Sequence, residues 1–150
     1  MKTSDIVIRR ATESDVEAVV TLLAALGYHE LERIAFSATF AKVLRHPEMR
    51  VLLALDAGKQ AVGLMTLSHR PQLRLAGKVL SIDELAVLET ARGRGIGQKL
   101  LQEARRVATE LGAKRIELHT NRHRESYRRQ FYVKNGFTEA NSAILRLECE

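Results

Sequence analysis

Residues 79 to 97 read V-L-S-I-D-E-L-A-V-L-E-T-A-R-G-R-G-I-G and run directly into Q-K-L-L-Q-E-A-R-R-V-A-T-E-L. The first half, Val79 to Val87, is an apolar, β-branched-rich run that predicts a strand, with two acids, Asp83 and Glu84, set inside it. The second half is a glycine-rich turn opening a helix. Leu100, Leu101, Ala104, Val107, Ala108 and Leu111 recur at the spacing of one helix face, and Gly112 follows as a stop. A strand, a turn of glycines and a helix N-terminus together make an anion site. Glycine lets backbone N–H groups face a ligand at close range, and the helix dipole with Arg92 and Arg94 adds positive potential.

Two common phosphate loops do not fit. A dinucleotide fingerprint needs G-x-G-x-x-G, but the third glycine, Gly97, comes one residue early and position 98 is Gln. A P-loop needs Lys and Ser or Thr after the glycines, and neither pair is present. What remains, Arg92-Gly93-Arg94-Gly95-Ile96-Gly97, resembles the pyrophosphate loop of the GCN5-related N-acetyltransferases (GNAT), whose pattern is [Gln/Arg]-x-x-Gly-x-[Gly/Ala]. Leu85-Ala86-Val87 before it and Phe131-Tyr132-Val133-Lys134-Asn135-Gly136-Phe137 after it resemble two further motifs of that family, in its order and spacing.

Composition bounds the rest. At 150 residues and 45% hydrophobic content the chain is the size of one domain, residues 1–150, with a core of its own. No apolar run is long enough to cross a bilayer, and M-K-T-S-D-I-V-I-R-R lacks a signal-peptide core. Cys149 has no cysteine to pair with, so a reducing cytoplasm is the expected location. The net charge of +6 is uneven: Arg92 to Lys134 holds 12 of the 24 Lys and Arg but 4 of the 18 acids, a surplus of +8 against −2 elsewhere. Such a field would steer a coenzyme bearing phosphates. A nucleic-acid binder would also need a groove-reading helix or stacking aromatics, and aromatics are only 5%. Partners are therefore expected to be small amines or peptides, not nucleic acid or membrane. The five His form no metal set, since His119 and His123 straddle a strand end and a loop.

Along the chain, Ile6 to Arg10 predicts a short strand, and Thr12 an N-cap hydroxyl with an acid three residues on. A helix over Val16 to Leu26 ends at Gly27, and a second spans Glu30 to Arg45 before Pro47. Arg50 to Leu55 and Ala61 to Leu67 predict antiparallel strands joined at Asp56-Ala57-Gly58-Lys59, with Gly58 suited to a positive φ. His69 to Lys78 reads as a loop or ragged strand ends. Lys114 to Thr120 predicts a strand parallel to Val79–Val87 through a right-handed crossover. Glu125 to Lys134 predicts a last helix capped by Asn135-Gly136, and the tail one or two last strands.

The resemblance implies a GNAT fold: a mixed α+β chain with a central mixed, mostly antiparallel sheet of six to seven strands, a splayed parallel pair, and four flanking helices. It implies acetyl-CoA as donor, coenzyme A as product, and direct attack by an amine in a ternary complex. A homodimer is compatible with it. Leu85, Ala86 and Val87 would pair with the pantetheine arm and offer an oxyanion donor. Arg92, Gly93, Arg94, Gly95, Ile96, Gly97 and Gln98 would hold the pyrophosphate, and Asn121 would touch the pantetheine. Tyr132 occupies the position of the tyrosine that protonates the departing thiolate. Arg128 departs from the family's small residue four before that tyrosine. Tyr28, His29 and Phe36 border the acceptor side, where core or rim packing is the competing reading. For the base, Asp83 lies two residues before Leu85 and so shares its face, while Glu84 points away. Asp83 leads, with Glu84, Glu117, His119 and bulk solvent as alternatives. A sensor that has lost catalysis, or a basic nucleic-acid binder, are the rivals from other classes.

Overall fold

The computed structural model describes residues 2 to 149, apart from the side chain of residue 4. The chain divides into two compact units, one ending at His119 and one beginning at Thr120.

The first unit is built on a sheet in the spatial order β1-β2-β3-β4-β5. Its strands are β1 (Val7–Arg10), β2 (Met49–Leu55), β3 (Ala61–Gln72), β4 (Gly77–Val87) and β5 (Arg115–Leu118). β1 to β4 pair antiparallel in succession, and β5 lies parallel to β4, in register from Val79↔Arg115 to Ile82↔Leu118. The parallel pair follows from the intervening helix α3 (Ile96–Leu111), because strands of one direction need a crossover to return the chain.

Two layers cover the sheet. Helices α1 (Val16–Ala24) and α2 (Arg33–Arg45) bury Val19, Leu22, Leu23 and Phe40 against Val51, Leu53, Leu64 and Ala86. The other face takes α3, which buries Ile96, Leu100, Leu101, Ala104, Val107 and Ala108 on one stripe. Each of the leucine, isoleucine and valine side chains contributes roughly 1.5–3 kcal/mol by leaving water. Contact is closest at Gly63, where a Cβ would meet Ile96 Cγ2 at 3.0 Å and Leu100 Cδ1 at 3.2 Å.

The second unit holds α4 (Glu125–Arg128) and α5 (Phe131–Lys134). Tyr132 packs edge-on against Phe131 and Phe137 at 5.1 and 6.0 Å between ring centroids. Arg122 and Tyr127 both donate to the Glu139 carboxylate, at 3.1 and 3.2 Å.

Several expectations are corrected. Among the described residues the sheet has five strands, not six or seven, and there are five α-helices rather than four. The fifth arises because Gln130 takes φ 61° and breaks the run Glu125 to Lys134 into α4 and α5. No strand forms in the tail, where Leu145 and Leu147 are 93% and 89% exposed. A strand needs a neighbour for its N–H and C=O groups, and no strand ladder among the described residues includes the tail. His69 to Lys78 is not a loop: β3 and β4 pair out to Gln72↔Gly77, and a short 3₁₀ turn with Ala76 at φ 50° joins them. In the β2–β3 turn the positive φ falls on Lys59, not Gly58. The second helix starts at Arg33, where the Glu32 carboxylate accepts from Ile34 and Ala35 N–H and caps it. Thr12 is the expected N-cap, with Asp15 three residues on: the Thr12 N–H donates to Asp15 at 2.7 Å, and Asp15 also takes two bonds from Arg9.

Candidate active site

The turn after β4 is shaped by two glycines. Gly93 and Gly95 both hold φ +79°, a conformation costly for other residues, and Gly95 is the N-cap of α3. Backbone N–H groups of Gly93, Arg94, Gly95, Ile96, Gly97 and Gln98 donate to no acceptor among the described residues. Six consecutive donors at the positive end of a sixteen-residue helix make a cradle for an anion. The N-terminal segment braces it from behind: Thr3 Oγ1 donates to the Arg94 carbonyl at 2.7 Å, and Lys99 Nζ donates to the carbonyls of Thr3 and Ile6. Arg92 Nε is engaged with the Val87 carbonyl at 3.1 Å, which ties the turn to the strand end. Arg94 makes no hydrogen bond through its guanidinium among the described residues.

Upstream, β4 loses one neighbour and gains an irregularity. Its ladder with β5 ends at Ile82↔Leu118, so Asp83 to Val87 pair only with β3 and leave one backbone edge open. Thr66 faces Glu84 while Leu67 faces Ile82, which makes Asp83 an inserted bulge residue. At the bulge the Glu84 N–H donates to Thr66 Oγ1 at 2.9 Å. The insertion resets the alternation. Leu85, opposite Met65, falls on the α3 side, whereas Glu84, opposite Thr66, joins Leu64, Ala86 and Ser81 on the α1–α2 side.

The two acids therefore sit in different surroundings. Asp83 is exposed and accepts from Ser81 Oγ at 2.9 Å. Glu84 is half-buried; desolvation first and the neighbouring Asp83 charge second raise its carboxyl from the ordinary 4.5 to about 7. A carboxyl titrating there can accept a proton at neutral pH. The bulge interrupts the strict alternation that put Asp83 on the face of Leu85.

The sequence profile of the Acetyltransferase (GNAT) family matches residues 16–137. The chain belongs to the GNAT family. It is 36% identical over 135 residues to an aminoalkylphosphonate N-acetyltransferase of Salmonella typhimurium, covering 89% of this chain and 86% of the relative. It is 30% identical over 139 residues to a probable glucosamine 6-phosphate N-acetyltransferase 2 of Oryza sativa subsp. japonica, covering 88% and 81%. A transcriptional regulator of Bacillus halodurans C-125 shares the fold with a TM-score of 0.85 at 27% identity over 96% of this chain and 99% of that one. The mixed sheet with its parallel β4–β5 pair is the GNAT fold, and the chain is a GNAT-type acetyltransferase.

The remaining anticipated residues of this GNAT acetyltransferase belong to both units. In the second unit, burial raises the Tyr132 hydroxyl above its ordinary range, against smaller opposing effects from Ser126, Arg124 and Arg129. Asn121 Oδ1 already accepts the His123 N–H at 2.8 Å, leaving its amide nitrogen as the group that could donate. Arg128 is exposed. Between α1 and α2, Tyr28 is 51% exposed and His29 is exposed, while Phe36 stacks on Phe40 at 6.1 Å and packs on the α1–α2 core. Thr66 went unnoticed in the sequence, where a threonine in a strand signals nothing but β propensity. Among the described residues no group of three or more His, Cys, Asp or Glu is placed to hold a metal ion, and no helix is long and apolar enough to cross a membrane.

Proposed function

We propose that the chain transfers the acetyl group of acetyl-CoA to the primary amine of a small acceptor carrying a phosphonate or phosphate group. The observation that carries the reaction is Glu84: a carboxyl raised to about 7, on a bulge, beside the open edge of β4. The acceptor class is supported by the relatives, since one acts on aminoalkylphosphonates and another is named for glucosamine 6-phosphate.

Bound acetyl-CoA supplies an acetyl group already activated as a thioester. The free N–H groups of Gly93 to Gln98, with Arg94, would hold the pyrophosphate, and the backbone of Leu85 to Val87 would run beside the pantetheine arm. Glu84 takes the proton of the acceptor ammonium and leaves a neutral amine to attack. An open N–H on the β4 edge faces the carbonyl oxygen as negative charge grows on it. Tyr132, kept protonated by its burial, is the proposed proton donor to the leaving sulfur, with Asn121 touching the arm. Tyr28 and His29 are proposed to border the acceptor.

Calorimetry of acetyl-CoA binding, paired with thiol release over an amine panel, tests this. The variant of choice is Gly93→Asp, because a Cβ there meets nothing within 4 Å, with Gly93→Asn as its control, which carries the same backbone strain at φ +79° without the charge. Gly95→Asp is a poorer probe because its Cβ would meet Thr3 Oγ1 at 3.1 Å. A carboxylate at 93 should weaken acetyl-CoA binding at least about tenfold, since lost charge-assisted bonds are worth roughly 1.5–3 kcal/mol each. Parent-like binding by Gly93→Asp would make the turn merely structural.

A further inference from the structure

The sheet face that carries Glu84 is charged in two zones. Ser68 pairs with Ser81 and Arg70 with Val79, so Thr66, Ser68 and Arg70 follow one another on the same side of β3 as Glu84. On β5 the same row continues, because Arg115 pairs with Val79 and Glu117 with Ser81. The face thus runs from acids, Glu84 and the bulged Asp83, across the two serine hydroxyls, to a row with a guanidinium at either side.

Those two arginines differ in occupation. Arg115 Nη1 is bonded to Glu117 Oε1 at 3.1 Å. Arg70 is exposed, and its guanidinium makes no hydrogen bond or ion pair with any described residue. On the opposite face the arginines are used, Arg50 on Glu110 and Arg106 on Glu103 and Glu110. Four residues separate Thr66 from Arg70, about 13 Å along the strand. That separation, less the reach of an arginine and a glutamate side chain, is the length of a short aminoalkyl chain and its hydrogen bonds.

We infer that this face is the acceptor track, and that Arg70, seconded by Arg115, anchors the tetrahedral oxyanion of a zwitterionic amine whose ammonium end lies at Glu84. The inference rests on the N-acetyltransferase reading with Glu84 as base, and adds the anchor and the direction in which the acceptor lies. Planar guanidinium groups hold phosphonate and phosphate oxygens in paired hydrogen bonds, and the acid-to-base order along the strand matches the dipole of such a molecule.

The test is steady-state thiol release with 2-aminoethylphosphonate, O-phosphoethanolamine and n-propylamine, on the parent, Arg70→Gln and Arg70→Lys, at saturating acetyl-CoA and fixed salt. In Arg70→Gln the KM for both anionic amines should rise about tenfold or more with kcat within about twofold, while propylamine is unaffected. Arg70→Lys should recover part of the loss, and melting temperatures should match the parent. The inference is overturned if the parent does not prefer the anionic amines, or if Arg70→Gln changes all three amines alike or none. With propylamine still turned over in a Glu84-dependent way, those results remove the anchor alone. If the parent turns over no amine while acetyl-CoA still binds, the N-acetyltransferase reading falls and takes the anchor with it.

Discussion

At the scale of single residues, environment separates Glu84 from Asp83. They are adjacent, chemically alike and both inside β4, yet Asp83 is exposed while Glu84 is half-buried and its carboxyl is raised to about 7. The proposed mechanism then fixes a pH profile. Activity at saturating acetyl-CoA should rise through an inflection near 7 as Glu84 loses its proton, with no falling limb until the raised tyrosine hydroxyl ionises on the alkaline side. Glu84→Gln should lower kcat by about 10²–10⁴ and abolish that inflection, whereas Asp83→Asn should keep it, shifted slightly down because a neighbouring negative charge is gone. An unchanged inflection in Glu84→Gln would assign the base elsewhere.

At the scale of elements, the β4 bulge and its threonine decide which side chains face the site. Thr66 Oγ1 takes the Glu84 N–H in place of a ladder carbonyl, so the hydroxyl compensates the pairing that the inserted residue disrupts. Thr66→Val keeps the shape and removes the acceptor. It should cost about 1–3 kcal/mol for the unpaired N–H and also move the pH inflection, while Thr66→Ser restores both. Equilibrium unfolding and the pH profile measure the two effects separately; a loss of stability with an unmoved inflection would make Thr66 a purely structural residue. On the other face the close approach of α3 makes Gly63 a second checkpoint. Gly63→Ala pushes a methyl against Ile96, Leu100 and Ala54 at 3.0 to 3.2 Å and should destabilise by roughly 1–3 kcal/mol, read from the denaturant midpoint.

For the whole molecule, two carboxyls give stability opposite pH dependences. Asp15, held by Arg9 to about 2, contributes stability above its ordinary 3.8 that is lost as pH falls toward 2. Glu84 acts the other way: its neutral form is the one the fold accommodates, so its contribution is full below 4.5 and is lost as pH rises through about 7. Relative to the parent, Glu84→Gln should therefore gain thermal stability at pH 8 and gain little at pH 5, by differential scanning calorimetry; an equal effect at both would refute the buried-carboxyl account. Much of this molecule was already legible in the sequence. The glycine turn, the face of α3 from Leu100 to Ala108, the β4–β5 crossover and the Asn135-Gly136 cap are local patterns, set by backbone sterics and by the spacing of apolar side chains within one element. The resemblance to the GNAT family rests on the same stretches. What the sequence did not determine depends on partners brought from elsewhere in the chain. The length of the β3–β4 pairing, the absence of strands in the tail, the break at Gln130 and the packing of Phe36 on Phe40 are decided by which neighbours are within reach. The bulge at Asp83 is of that kind, because it exists only in the register between two strands. A strand read alone alternates strictly, so the sequence puts Asp83 on the face of Leu85; pairing with Thr66 inserts one residue, brings Glu84 onto the face of Ser81, and buries it there.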